Sequence, residues 1–314
     1  MKHALFGAAI AAAVAMPAFA TDYTIMAPAG PGGGWDQTAR TIQEVMQAEG
    51  IAGNVQVQNV PGAGGTVGLA QFAASTAGDP TQLIVGGYVM VGAILTNAAP
   101  VTLKDVTPIA RLTGEAVAIV VPAASPIQDI AGLVEALKAD PGAVSWAGGS
   151  AGGVDHITVG LLAKAAGVDP TKVNYVAFSG GGEALAAILG NQVTAGISGV
   201  GEFLPQVQAG TMRLLAVSSG ERLPGVDAPT LKEAGFDVEV QNWRMVAAAP
   251  GLSAEQRAAV LADIEKLNAS AGWKAALETK GWANTYLAGD DFVAQLDKEI
   301  AATETVLRDI GLVK

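Results

Sequence analysis

Short apolar runs rich in β-branched residues alternate with stretches of helical periodicity along almost the whole chain. The runs Tyr23–Ala27, Val55–Val60, Gln82–Gly86, Val106–Leu112, Ala116–Val121, Ala143–Ala147, Val173–Phe178, Val193–Ser198, Met212–Ser218 and Val238–Ala248 predict strands. Between them the pattern predicts helices. Ser125-Pro126 with Gln128 reads as a capped start, followed by Ile130, Leu133, Val134 and Leu137 on one face; Ser253 with Gln256 repeats the device. The segment Asp290 to Leu312 carries a long apolar stripe that predicts an amphipathic helix able to clasp a neighbouring unit. This alternation is the mark of an α/β fold with largely parallel sheet.

The chain is too long for one compact core, so two lobes are expected. No flexible linker or charge block separates them, which points to a hinge built of strands. Ala116–Val121 and Trp243–Ala248 are the segments placed to cross side by side, giving one lobe from residues 21–120 plus 244–314 and another from 121–243. The first twenty residues read differently: Lys2, an apolar core from Ala4 to Ala15, and Ala18-Phe19-Ala20 form a signal peptide, with cleavage expected after Ala20 and a periplasmic destination. No later apolar run is long enough to span a bilayer. There is no cysteine, hence no disulfide and no thiol for a lipid anchor. The formal charge of −11 argues against nucleic acid or an anionic membrane surface as partner.

Candidate chemistry concentrates at three glycine-rich junctions between a strand and a helix: Pro28 to Asp36, Pro61 to Gly68, and Gly148 to His156. A helix start presents unpaired N–H groups and partial positive charge, a seat for a carboxylate or phosphate. In the first junction Gly33 and Gly34 allow close backbone approach, Trp35 forms a cleft wall or anchors the helix, and Asp36 stands at a favourable position for a carboxylate, four residues from Arg40. In the second, Gly65 and Thr66 sit at the helix start. The glycine spacing there departs from a dinucleotide fingerprint, and no acidic residue ends the next strand, Gln82–Gly86, which argues against a nicotinamide enzyme.

The third junction contains Gly148-Gly149-Ser150-Ala151-Gly152, a literal G-x-S-x-G, which raises a secreted serine esterase as an alternative. Outside the leader, however, His156 is the one histidine, six residues after Ser150 and on the same helix start. An acid-histidine relay from later in the chain is missing. Ser150 therefore reads as an anion-binding hydroxyl. Ser179-Gly180-Gly181-Gly182 and the strand end at Ser198 add donors at the carboxyl edge of the second sheet, where open parallel sheets bind ligands. One histidine and no thiol cannot build a zinc site, and no cofactor is expected.

The segments MAPAGPGGGWDQTAR, VQNVPGAGGTVGLAQF, AGGSAGGVDHI, VNYVAFSGGGEALAAILGNQVTAGISG and VSSGERLPGVDAPTLKEAGFDVEVQNWR, followed by APGLSAEQ, resemble the substrate-binding receptors of tripartite tricarboxylate transporters, the Bug receptors. Trp35 is more similar to the tricarboxylate branch. The resemblance implies a type II periplasmic binding fold, two α/β lobes with mostly parallel sheets joined by crossing hinge strands, acting without catalysis. It also implies a small carboxylate ligand, citrate or another di- or tricarboxylate first, and delivery by a monomer to membrane permease subunits. A ligand-sensing subunit of a membrane signalling protein is the other reading. Carried over, the ligand contacts are Gly33, Gly34, Asp36, Gly65 and Thr66 from one lobe and Ser150, His156, Ser179 and Ser198 from the other. Tyr88 and Arg244 near the hinge join them, with Gly149 and Gly180 as neighbouring backbone donors.

Overall fold

A computed structural model describes residues 21–178 and 180–314; the leader assigned to residues 1–20, and Ser179, lie outside the described residues. The first lobe opens with β1 (Thr21–Ala27), α1 (Gly34–Ala48), β2 (Ala52–Asn59), α2 (Thr66–Ser75), β3 (Gln82–Gly87) and α3 (Tyr88–Thr96). The chain then enters the long strand β4 (Thr107–Pro122). Beyond it come α4 (Ile130–Ala139), β5 (Ser145–Gly148), α5 (Val154–Ala165), β6 (Asn174–Ala177), α6 (Gly181–Leu189), β7 (Ala195–Gly199), α7 (Val200–Gln208) and β8 (Met212–Val217). The return runs through β9 (Gln241–Ala248), α8 (Ala254–Ala269), α9 (Ala271–Lys280), β10 (Ala283–Ala288) and α10 (Gly289–Asp309).

The strands form two sheets that share β4. Its first part pairs with β9 and β10, completing the order β2-β1-β3-β9-β4-β10; its last part lies between β8 and β7, completing β8-β4-β7-β5-β6. Pairing is parallel in β2-β1-β3 and in β7-β5-β6, as helical crossovers require. The strands that tie the two halves together, β4 and β9, run antiparallel to every neighbour. Val106–Leu112 and Ala116–Val121, expected as two strands, are thus one. The polar interruption Thr113-Gly114-Glu115 stays extended because β9 pairs with all three residues and β10 with Thr113 and Gly114 from the other side. Register shifts within β4 add the local twist that carries it from one sheet to the other.

Separate apolar cores fill the lobes. One gathers around Ile25, Leu83, Val246, Trp273 and Phe292, the other around Val117, Ile119, Trp146, Leu162 and Ile197. Helix α10 touches both sides: Phe292 and Leu296 belong to the first core, whereas Leu307 and Ile310 pack on Ile157 of α5. The Ser253–Gln256 capping box forms as expected. The helix expected after Ser125 starts later. Asp129, not Ser125, is the cap of α4, accepting the Gly132 N–H at 2.8 Å, while the Ser125 hydroxyl closes a turn on the Ile127 N–H.

Candidate functional site

Apart from α10, which follows Ala288 without a side-chain cap, the described helix starts divide into two kinds. Helices α4, α8 and α9 are capped by the side chains of Asp129, Ser253 and Ser270. Helices α1, α2, α3, α5, α6 and α7 follow Gly33, Gly65, Gly87, Gly153, Gly180 and Gly199 and have no cap from their own N-cap side chain. All six of these supply lining to a single cleft between the lobes. Glycine at the cap position costs only a few tenths of a kcal/mol relative to serine or aspartate, so the loss of capping is small against the amides it frees.

The lobes meet where side chains are absent. A Cβ on Gly64 would lie 3.4 Å from that of Ser150, and one on Gly92 of α3 would collide with the Gly152 carbonyl. Glycine is required at Gly64 and Gly65 for a second reason, since both have positive φ (63° and 88°) in the tight turn before α2. Trp35 packs its ring against Gly65, where a Cβ would lie 2.6 Å from it, and forms part of the wall.

Of the residues expected from the sequence, Gly33, Gly34, Trp35, Gly65, Gly149, Ser150, Gly180, Ser198 and Arg244 line the cleft. Four others face elsewhere. Asp36 is buried behind the first junction, where it accepts the Gly32 N–H at 2.8 Å, Arg40 Nε at 3.0 Å and Asn59 Nδ2 at 2.9 Å. Burial alone would raise its pKa, but these hydrogen bonds outweigh it and hold the carboxyl below its ordinary value. Asp36 thus shapes the Gly32 turn from within the lobe. The Thr66 hydroxyl donates to the Ala63 carbonyl at 2.9 Å. Tyr88 stacks on Trp243 with centroids 6.2 Å apart and reaches Thr303 on α10.

His156 is likewise committed inside its lobe. Its ring lies parallel to Tyr175 with centroids 4.1 Å apart, and Nδ1 accepts the Gly152 N–H at 3.3 Å. That donor holds the nitrogen unprotonated, and burial pushes the imidazole down to about 4. The unfolded chain therefore takes up a proton that the folded chain refuses, and stability falls as pH drops from about 6.5 towards 4. His156→Phe keeps the stack and removes that component. Between pH 7 and pH 4.5 the variant is expected to lose less unfolding free energy than the parent, by on the order of 2 kcal/mol, in denaturant titrations at the two values. Equal losses would place His156 in water.

Three carboxyl groups that the sequence reading passed over stand on the second side of the site: Asp155 and Glu202 line the cleft, and Glu115 is buried outside the lining, against Gly199 and Gly201. Glu115, on β4, is buried; its Oε2 accepts from Arg244 Nη2 at 2.7 Å and its Oε1 from the Gly201 N–H of α7 at 2.8 Å. Asp155, in the first turn of α5, accepts the Gly149 N–H at 2.8 Å. Glu202, in the first turn of α7, sits beside Ser198 and against the α-carbon of Gly181 at the start of α6. Burial raises Asp155 to about 7, the Gly149 hydrogen bond opposing and the Glu115 charge assisting. Burial, then repulsion from Glu115, raises Glu202 to about 8. Among the described residues no three acids or histidines gather closely enough to hold a metal ion. Arg244 is almost wholly buried, stacks over Trp282 at 5.1 Å, and leans on Gly34, where any side chain would strike its guanidinium. Its Nη1 has no hydrogen-bond partner, and neither does Oδ1 of Asn242, which also lines the cleft. The sequence does carry a signal for Asp155 and Glu202, each two or three residues past a glycine that starts a helix.

Known proteins bear on this geometry. The profile described as tripartite tricarboxylate transporter family receptor matches residues 38–308. Protein BugT of Bordetella pertussis is 29% identical over 259 residues, 79% of this chain and 78% of BugT; a UPF0065 protein of Bordetella bronchiseptica is 32% identical over 72% of this chain and 67% of its own. The solved structure of the periplasmic binding protein BugD superposes with a TM-score of 0.84 at 22% identity, covering 94% of this chain and 99% of BugD. MatC from Rhodopseudomonas palustris with bound malate gives a TM-score of 0.78 at 26% identity, covering 93% of this chain and 100% of MatC. The described residues contain no helix long and apolar enough to cross a membrane. The protein belongs to the family of tripartite tricarboxylate transporter receptors.

Proposed function

We propose that this protein is a periplasmic receptor, secreted through a leader cleaved after Ala20, which as a monomer captures a small carboxylate in its cleft and delivers it to the membrane subunits of a tripartite transporter. The observation that carries this reading is the convergence of six glycine-capped helix starts on one interlobe cleft. At the first-lobe face, α1 offers first-turn amides and the positive end of its dipole. Arg244 stands against Gly34 at the same place. Charge-assisted hydrogen bonds of about 1.5–3 kcal/mol each suffice, at three or four per ligand, for micromolar binding once ordering costs are met. The similar structure of MatC with malate bound supports a carboxylate of this size. Citrate and other tricarboxylates belong in the same trial.

The test is a thermal-shift screen of the mature protein against mono-, di- and tricarboxylates, amides and sugars, with a nitrophenyl ester assay alongside. A carboxylate at a hundred times its Kd is expected to stabilise the fold by about 2.7 kcal/mol, without ester turnover. Stabilisation by sugars or amides and by no acid would overturn the ligand class. Turnover abolished by Ser150→Ala would establish the esterase, and co-purification with a membrane kinase instead of a permease would favour sensing.

A further inference from the structure

The two faces of the cleft differ in what already occupies their helix starts. Among the described residues no carboxyl of the first-lobe face lines the cleft, and the acid of α1, Asp36, is turned away onto Gly32, Arg40 and Asn59. On the second-lobe face Asp155, on the Gly149 N–H, and Glu202, against Gly181 at the start of α6, line the cleft, while Glu115, buried outside the lining, holds the Gly201 N–H. Glu183 of α6 lines the same face. The base within reach, Arg244, already spends one nitrogen on Glu115. A second carboxylate from the ligand would enter a wall of acids.

Resting on the carboxylate reading above, we infer that the cleft is polarised and selects an amino-carboxylate, its carboxylate at α1 and Arg244 and its ammonium at Glu202, Asp155 and Ser198. Two unpaired atoms agree with both ends. Arg244 Nη1 is a buried donor without an acceptor, and Asn242 Oδ1 is a buried acceptor without a donor. Asn242 sits opposite Glu115 in the β4–β9 register, between the two ends. The raised pKa values of Asp155 and Glu202 fit a face that lacks a cation. An ammonium group supplies that cation and lets both acids ionise, whereas a dicarboxylate must bring protons with it.

Isothermal titration of the mature protein with matched series of ω-amino acids, dicarboxylates and monocarboxylates of three to six carbons, at pH 6 and pH 8.5, tests this. At pH 8.5 an amino-carboxylate is expected to bind about tenfold or more tighter than the dicarboxylate of equal length, because like charges at a desolvated contact discriminate strongly. Dicarboxylate affinity is expected to fall from pH 6 to pH 8.5 as Asp155 and Glu202 lose their protons in the field of Glu115, Glu183 and Arg244. Glu202→Gln, checked for folding by circular dichroism, narrows the preference to within about threefold. A dicarboxylate that equals or exceeds its amino counterpart in the parent at pH 8.5 overturns the inference whatever the variant does. So does a preference untouched by Glu202→Gln in a folded variant. If no acid of any series binds, both readings fall; if acids bind without preference, only this one does.

Discussion

Arg244→Met is expected to destabilise the protein by about 3–5 kcal/mol, the range found when one partner of a buried ion pair is removed. The side chains of Arg244 and Glu115 are each only 2% exposed and 2.7 Å apart, so Glu115 cannot turn to water when its cation is lost. It also cannot leave without abandoning the Gly201 N–H at the start of α7. The variant thus strands a charge in the interior and unsettles the joint where β4 and β9 carry the chain between sheets. Glu115→Gln added to Arg244→Met keeps an acceptor for Gly201 and removes the stranded charge, and is expected to recover most of the loss. Denaturant unfolding of the three proteins at neutral pH decides it. A single variant within 1 kcal/mol of the parent would mean that water reaches the pair.

Gly92→Val is expected to weaken ligand binding by about a hundredfold, or 2.7 kcal/mol, while leaving each lobe folded. The added Cβ meets the Gly152 carbonyl, and since the backbone fixes the position of both atoms, no rotamer change relieves the overlap. The inexpensive escape is for α3 and α5 to part, which holds the cleft open and separates the donors of α1 from Ser150 and Ser198. X-ray scattering should show a larger radius of gyration than for the parent, with an unchanged circular dichroism spectrum. Parental affinity in a folded variant would show that capture does not need the lobes to meet there.

Local features of this molecule were legible in the sequence because they depend on neighbours in the chain. The glycine junctions announced helix starts, the four-residue spacing announced the Asp36–Arg40 pair at 3.0 Å, and Ser253 with Gln256 announced a capping box. Ser125 misled because Asp129 offers a carboxylate cap four residues on, and propensity does not rank two caps so close together. The electrostatics of the cleft was hidden for another reason. Glu115 and Arg244 are 129 residues apart, and only the β4–β9 ladder sets them side by side. Asp36 and Asp155 look alike in sequence, each in a first turn behind glycines. One is drawn away by Arg40 and Asn59, while the other remains at the cleft because no base lies one turn along α5 to claim it.

The path of α10 carries a mechanical consequence. Its early turns are seated in one core, its last turn presses Ile310 onto Gly160 of α5, and Lys164 grips Asp309 at 2.8 Å. Midway, Thr303 meets Tyr88, which itself rests on Trp243 of β9. A rod fastened to both cores ties them together at that end, so any movement of one core relative to the other is expected to be smallest there. A probe attached at Lys314 would travel little during capture, whereas one on the rim of the cleft near Gly182 would sweep the full arc.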